Sequence, residues 1–104
     1  FGAYAAEPWH IAPRFYGTGE THVFQLHPMR ALFPWRRAKD GSLNDFFQFS
    51  AHEGLGVGGS GHFALWLDTD LFEGTSAPCE TFASPCLAHA PDFHVHCLEL
   101  WHLV

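Results

Sequence analysis

Chemistry in this chain would have to come from a few groups of side chains, most of them between Gly54 and Phe82. The pattern GxGxxG occurs twice, at Gly54-Gly56-Gly59 and at Gly56-Gly58-Gly61. Such a run cradles a pyrophosphate only where a strand precedes it and a helix N-terminus follows to face the anion. Phe63-Ala64-Leu65-Trp66-Leu67 has a period of two, so a strand follows, and the glycines read as a tight turn or bulge between strands. Asp68-x-Asp70 opens like a calcium loop, but Phe72 and Glu73 stand where such a loop needs a ligand and a glycine. The two carboxylates read better as acceptors for the N–H groups of a turn.

A nucleophile with its base is the second chemistry on offer. Cys79, with Ser76, Glu80 and Glu99, supplies the residue types, and a thiol just after Pro78 in a loop is a candidate for reaction with peroxide. A catalytic assembly also needs a hydrogen-bonded base and a group to orient it. No GxSxG elbow is present: Ser60 has Gly58 before it but His62 after it. The commoner role of an unpaired cysteine is that of a small buried hydrophobe. Glu99, between Leu98 and Leu100, either faces solvent or is a buried carboxylate bonded to turn N–H groups. His94 and His96 are two apart, hence on one face of a strand, but a metal site needs a further ligand, and surface histidines are the plainer reading. No cofactor or metal follows from these spacings.

Short strands must position these groups. Phe1–Ala5 reads as a strand already under way, so a domain truncated at its N-terminus is expected, with an unfilled sheet edge beside these residues. Pro8 and Pro13 make 6–16 a loop, and Gly17-Thr18-Gly19-Glu20 a tight turn. Thr21–Leu26 is a strand ended by His27-Pro28. Ala31–Trp35 is a strand that Pro34 confines to an edge. Arg36–Leu43, with the turn pair Asp40-Gly41, reads as a hairpin loop from which Asn44–Phe49 returns as a strand. Ser50–Glu53 is a connector, loop or one helical turn, and Leu55–Gly58 a glycine-weakened strand.

Phe63, Leu65 and Leu67 share one side of the next strand and Ala64 and Trp66 the other, which predicts burial on both faces. Asp68-Thr69-Asp70 is a corner, and Leu71–Gly74 starts a partner strand. Ser84-Pro85 is a candidate start of a short helix. The last strand, 93–103, changes phase between Val95 and Leu98, which predicts a bulge near His96-Cys97. These elements give a mainly β chain: a two-layer antiparallel β-sandwich with short flanking helices, in a single domain over 1–104.

Composition removes several functions. The chain is 47% hydrophobic, with eleven Phe and four Trp, so it builds an aromatic core. A formal charge of −6 and only five basic residues argue against nucleic acid, which needs a basic stripe. The one basic cluster, Arg36, Arg37 and Lys39, reads as a solvated loop. No apolar run approaches the ~20 residues of a membrane span, and there is no signal-peptide pattern. Three cysteines fit no disulfide framework or metal knuckle, which favours a reducing, intracellular setting. The cytoplasm comes first, with nucleus, mitochondrion and endolysosomal surface as alternatives. Protonating all nine histidines would move the formal charge from −6 to +3, so charge-driven binding should weaken or invert below about pH 6.

Several spaced motifs resemble the TLDc domain, the module of the oxidation-resistance proteins and their TBC- and LysM-linked relatives. They are Phe1-Gly2-Ala3-Tyr4, Gly17-Thr18-Gly19-Glu20-Thr21 and Gly58 through Asp68. Asp70-Leu71, Gly74-Thr75-Ser76, Cys79-Glu80-Thr81-Phe82 and Leu98-Glu99-Leu100-Trp101 follow in the family's order. The resemblance covers almost the whole chain. It implies a β-sandwich of two antiparallel sheets, a role in oxidative-stress resistance, and contact with the vacuolar proton pump (V-ATPase). It brings no established reaction. It marks Gly17, Gly19, Glu20, Gly58, Gly59, Gly61, Trp66, Asp68, Asp70, Gly74, Ser76, Cys79, Thr81, Phe82, Glu99 and Trp101 as motif positions of mainly structural role. The loop Arg36–Leu43 and the nine histidines depart from the family pattern.

Two readings follow. One is a non-catalytic protein-interaction module acting in oxidative-stress resistance through V-ATPase subunits, with no membrane insertion. The other is a thiol- or carboxylate-based enzyme, hydrolase or antioxidant, centred on Cys79 and Glu99. A pocket in which either residue meets a histidine would decide for the enzyme.

Overall fold

Alternating apolar runs of four or five residues, cut by glycine and proline, suit strands and are too short for helices. The computed structural model describes residues 1–102 and contains no helix among them. Its eight strands are β1 (Gly2–Tyr4), β2 (His22–Gln25), β3 (Ala31–Pro34), β4 (Gln48–Ala51), β5 (Gly54–Val57), β6 (Leu65–Asp68), β7 (Glu73–Thr75) and β8 (Asp92–His94). They form two antiparallel sheets, β1-β2-β3 and β4-β5-β6-β7-β8, the all-β antiparallel class expected from the sequence.

The core lies where the sheets meet. Val23 of β2 packs with Val57 of β5 and with Phe47, Ala64, Phe82 and Leu87 from the flanking segments, all of them buried. Ala3 and Phe33 close on this cluster from the three-stranded side. Phe1 meets Phe93 edge-on at 5.2 Å, which joins the outer ends of the two sheets. β3 pairs only with β2, so Pro34 ends an edge strand, where its missing N–H costs no ladder bond.

Five local expectations are corrected. β3 and β4 do not form a hairpin, because they belong to different sheets. The loop 36–43 closes on itself instead: Ala38 N–H donates to Ser42 O at 2.8 Å, and Gly41 turns at φ 86°. The connector expected at Ser50–Glu53 is partly strand; β4 runs to Ala51 and turns through His52-Glu53 alone, with Ala51 paired to Gly54. No helix begins at Ser84-Pro85, because Cys79 and Ser84 exchange backbone bonds of 3.0 Å and tie that segment into a turn.

The last strand is only Asp92–His94, so the bulge near His96-Cys97 does not form; Leu98–His102 is exposed chain outside the ladder, and Leu103 lies outside the described residues. Finally, Phe63 shares a side with Trp66, not with Leu65: the two rings stack at 5.0 Å and 28°. Ser60 and Gly61 both take positive φ, so the phase is reset before β6 starts at Leu65. Leu65 and Leu67 are buried, while Trp66 is only half-buried, and the strand is not enclosed on both faces.

Candidate functional site

The glycine turn and the Cys79 loop do meet in space, and their meeting is built by hydrogen bonds. Gly58 turns at φ 82°, and a Cβ there would stand 2.6 Å from Cys79 Sγ. Only glycine allows both the angle and the approach. The Cys79 thiol donates to Gly59 O at 3.4 Å. Gly59 N–H donates to Thr81 Oγ1 at 3.0 Å, and the Thr81 hydroxyl donates to Asn44 Oδ1 at 2.7 Å. Ser60 Oγ donates to Glu80 Oε2 at 2.9 Å on the exposed side of the same contact. Gly59 itself has no positive φ; its side-chain position is closed by Phe46 Cβ at 2.7 Å.

One layer further in, Ser76 donates to Ala64 O at 2.6 Å and accepts from Leu87 N–H at 2.8 Å. Phe82 is fully buried, and its carbonyl accepts from Arg36 Nε at 2.8 Å. Arg36 is therefore a strap between the two halves of the chain, not merely a solvated charge. Ser76, Cys79 and Thr81 are all buried and all engaged in tying one backbone segment to another. Their pairing is what makes burial tolerable, because a desolvated polar atom without a partner is costly.

The remaining motif residues divide between scaffold and surface. Gly17 turns at φ 103° against the side chain of Gln48, and Gly19 lies under the ring of Trp35. Gly74 is buried on β7, and Gly61 turns at φ 93° in open space. Asp68 Oδ1 accepts from Phe72 N–H at 3.0 Å and Glu73 N–H at 3.4 Å, the turn-capping role read for it. Asp70, Glu20, Glu99 and Trp101 are exposed. Glu99 does not cap buried N–H groups, since the chain has left the ladder before reaching it.

The structure thus brings Cys79, Thr81, Ser76 and the glycines together and leaves Glu99 apart. The thiol faces a backbone carbonyl and lies in the core cluster with Phe82 and Ala64. His94 approaches Glu73, Nδ1 to Oε1 at 3.9 Å, with both side chains largely in solvent. Among the described residues no three His, Cys, Asp or Glu side chains converge as metal ligands.

Two groups escaped the sequence reading. Gln48, fully buried, donates to Glu7 O at 3.0 Å and accepts from Glu7 N–H at 3.1 Å, which pins the loop 6–16 against β4. A lone Gln in an apolar strand gave no warning of a partner 41 positions away. The second is a row of rings on the five-stranded sheet. Phe15 lies 4.9 Å from Phe46 and 5.3 Å from Phe49, and Phe49 lies 5.6 Å from Phe63, which stacks on Trp66. Alternation in β4 and the glycines of β5 were the available signals: Gly56 leaves room for the Phe63 ring, which a Cβ would meet at 2.5 Å.

A family model described as the TLDc domain matches residues 1–104. The chain is 42% identical over 102 residues to oxidation resistance protein 1 of Rattus norvegicus, covering 97% of this chain and 12% of that protein. Its identity to the Homo sapiens protein of the same name is also 42%, over 97% of this chain and 11% of that protein. To nuclear receptor coactivator 7 of Homo sapiens it is 42% identical over 101 residues, covering 97% of this chain and 10% of that protein. The chain spans about a tenth of the length of these curated relatives.

Proposed function

The chain belongs to the TLDc domain family, and from that premise we propose that it is a non-catalytic protein-interaction module serving resistance to oxidative stress through contact with V-ATPase subunits. The oxidative-stress part rests on the relatives that carry oxidation resistance in their names. The pump as partner rests on what the family resemblance implies. The observation that favours a module over an enzyme is the use made of the buried polar groups at the motif positions. Ser76, Cys79 and Thr81 each hold a backbone carbonyl, a backbone N–H or an amide, so none is a free nucleophile beside a base. The enzyme reading, centred on Cys79 and Glu99, asks for a shared pocket. The first residue is in the core and the second is on the exposed terminal segment.

The test is capture of the full-length protein from cell lysate, before and after a peroxide challenge, with blotting for V-ATPase subunits. Specific co-capture, together with peroxide consumption no faster than that of a buffer blank, is the expected result. Catalytic peroxide consumption lost in Cys79→Ser, without pump capture, would replace this reading with the antioxidant one.

A further inference from the structure

Charge is divided between the two parts of this chain. All five Lys and Arg lie within residues 1–39, which include the three-stranded sheet. Residues 40–104 hold nine Asp and Glu side chains and no Lys or Arg at all. That acidic half builds the five-stranded sheet.

The register of that sheet sorts its two faces. Val57, Leu65 and Leu67 point to the core. On the opposite face, one row runs Phe49, Gly56, Trp66, Thr75, Asp92, and the next runs Ala51, Gly54, Asp68, Glu73, His94. Aromatic rings therefore occupy one end of this face, over β4–β6, and carboxylates the other, from Asp68 at the end of β6 to Asp92 of β8. The rings of Phe49, Phe63 and Trp66 are half-buried; Phe15, which follows Arg14, lies against the Phe49–Phe63 end at 5.3 and 6.2 Å, and the Trp66 end adjoins the carboxylates. Beside Trp66 the surface sinks into a groove of about 290 Å³ flanked by Asp68, Glu73, Asp92 and His94.

We propose that this outer face of the five-stranded sheet docks a basic polypeptide segment of a partner protein, with its apolar side chains on the Phe49–Phe63–Trp66 row and its Arg or Lys side chains in the acidic groove. Charge complementarity selects the occupant. A face with carboxylates and an indole ring attracts guanidinium and ammonium groups, through ion pairing and over the ring face, and repels acidic partners. Anchoring by aromatic rings next to a polar rim is the usual anatomy of a protein interface. A second copy is a poorer occupant. The basic loop of one chain on the acidic face of the next is a head-to-tail contact, which makes a ring or an open filament and not the two-fold dimer commonest among homo-oligomers. The proposal rests on the interaction-module reading and adds the surface and the chemistry of the partner to it.

The probe is a fluorescent peptide of alternating Arg and Leu, with an alternating Glu and Leu peptide as its opposite. Binding to the full-length protein is read by anisotropy at low and at raised salt. The Arg peptide should bind and the Glu peptide should not. The pair Glu73→Lys with Asp92→Lys should weaken binding about tenfold or more, since each replaces an attraction with a repulsion. A charge-matched pair outside this sheet, Glu20→Lys with Glu99→Lys, should leave most of the affinity. Both pairs change exposed side chains. Amide hydrogen exchange on the wild-type protein provides a reading free of substitutions: the Arg peptide should slow exchange in β6–β8.

Equal weakening by both pairs would reduce the effect to net charge and overturn the proposal. So would protection confined to other strands, or a face already covered in the free full-length protein by its own chain or by a second copy. The two readings fail separately. Pump capture that survives Glu73→Lys with Asp92→Lys sinks this surface and leaves the module standing. Peptide binding at this face by a protein that captures no pump subunit does the reverse.

Discussion

At the residue scale the thiol of Cys79 shows how burial changes the meaning of a reactive group. In water a cysteine near a hydroxyl and a carboxylate reads as redox chemistry. Here it is 3% exposed, fills the space left by Gly58, and donates to Gly59 O. Oxidation requires a sulfur within reach of the oxidant, and a thiol packed against Phe82 and Ala64 offers no such access. Cys79→Ser should therefore act through stability. The shorter C–O bond draws the donor away from Gly59 O and leaves a polar atom in an apolar site, at a cost of about 1–3 kcal/mol. Denaturant melts of the two proteins measure this, and their peroxide consumption should be the same. A variant that melts like the wild type while losing peroxide consumption would contradict the assignment.

At the element scale the turn from Gly58 to Gly61 does two jobs that can be separated. Gly58 needs both a positive φ and an empty side-chain position, since a Cβ would meet Cys79 Sγ and, at 3.0 Å, the Phe82 ring. Gly61 needs the angle alone, for nothing stands within 4 Å of its missing Cβ. Gly61→Ala should cost about 1–2 kcal/mol, the penalty of a left-handed backbone with a Cβ. Gly58→Ala should cost that plus about 1–3 kcal/mol of overpacking. Thermal or chemical unfolding of the two variants side by side checks the order. Equal losses would mean that the Cys79–Phe82 side yields to the added methyl, and that the turn is held by its angles only.

At the scale of the whole molecule, the division of charge sets what can approach the outer sheet face. The formal charge is −6, and all five Lys and Arg lie within residues 1–39. Asp68, Glu73 and Asp92 gather their charge around one groove, beside His94. Exposed charges act through solvent, so salt screens them. Binding of the Arg–Leu peptide should therefore weaken severalfold as ionic strength rises from about 0.01 M to about 0.15 M, where the Debye length falls from about 30 Å to about 8 Å. The fold, held by its apolar core, should persist over the same range. Affinity that stays flat across this range would separate the binding from the charge of this face.

Much of this was legible along the chain, for reasons that stay local. The β class follows from period-two runs too short for helices, the turns at Gly17, Gly41 and Gly58–Gly61 from residues that tolerate positive φ, and the edge position of β3 from Pro34. The capping role of Asp68 is a matter of four or five residues. Tertiary structure decided what depends on distant partners. Gln48 holds a loop 41 residues away, and Arg36 straps the carbonyl of Phe82, 46 residues on. The same holds for Glu99, whose exposure follows from a ladder that ends at His94. The aromatic and acidic halves of the outer sheet face also appear only when five strands lie in register. Side chains from positions 49, 66, 73 and 92 share no spacing along the sequence, and only hydrogen-bonded pairing puts them on one surface.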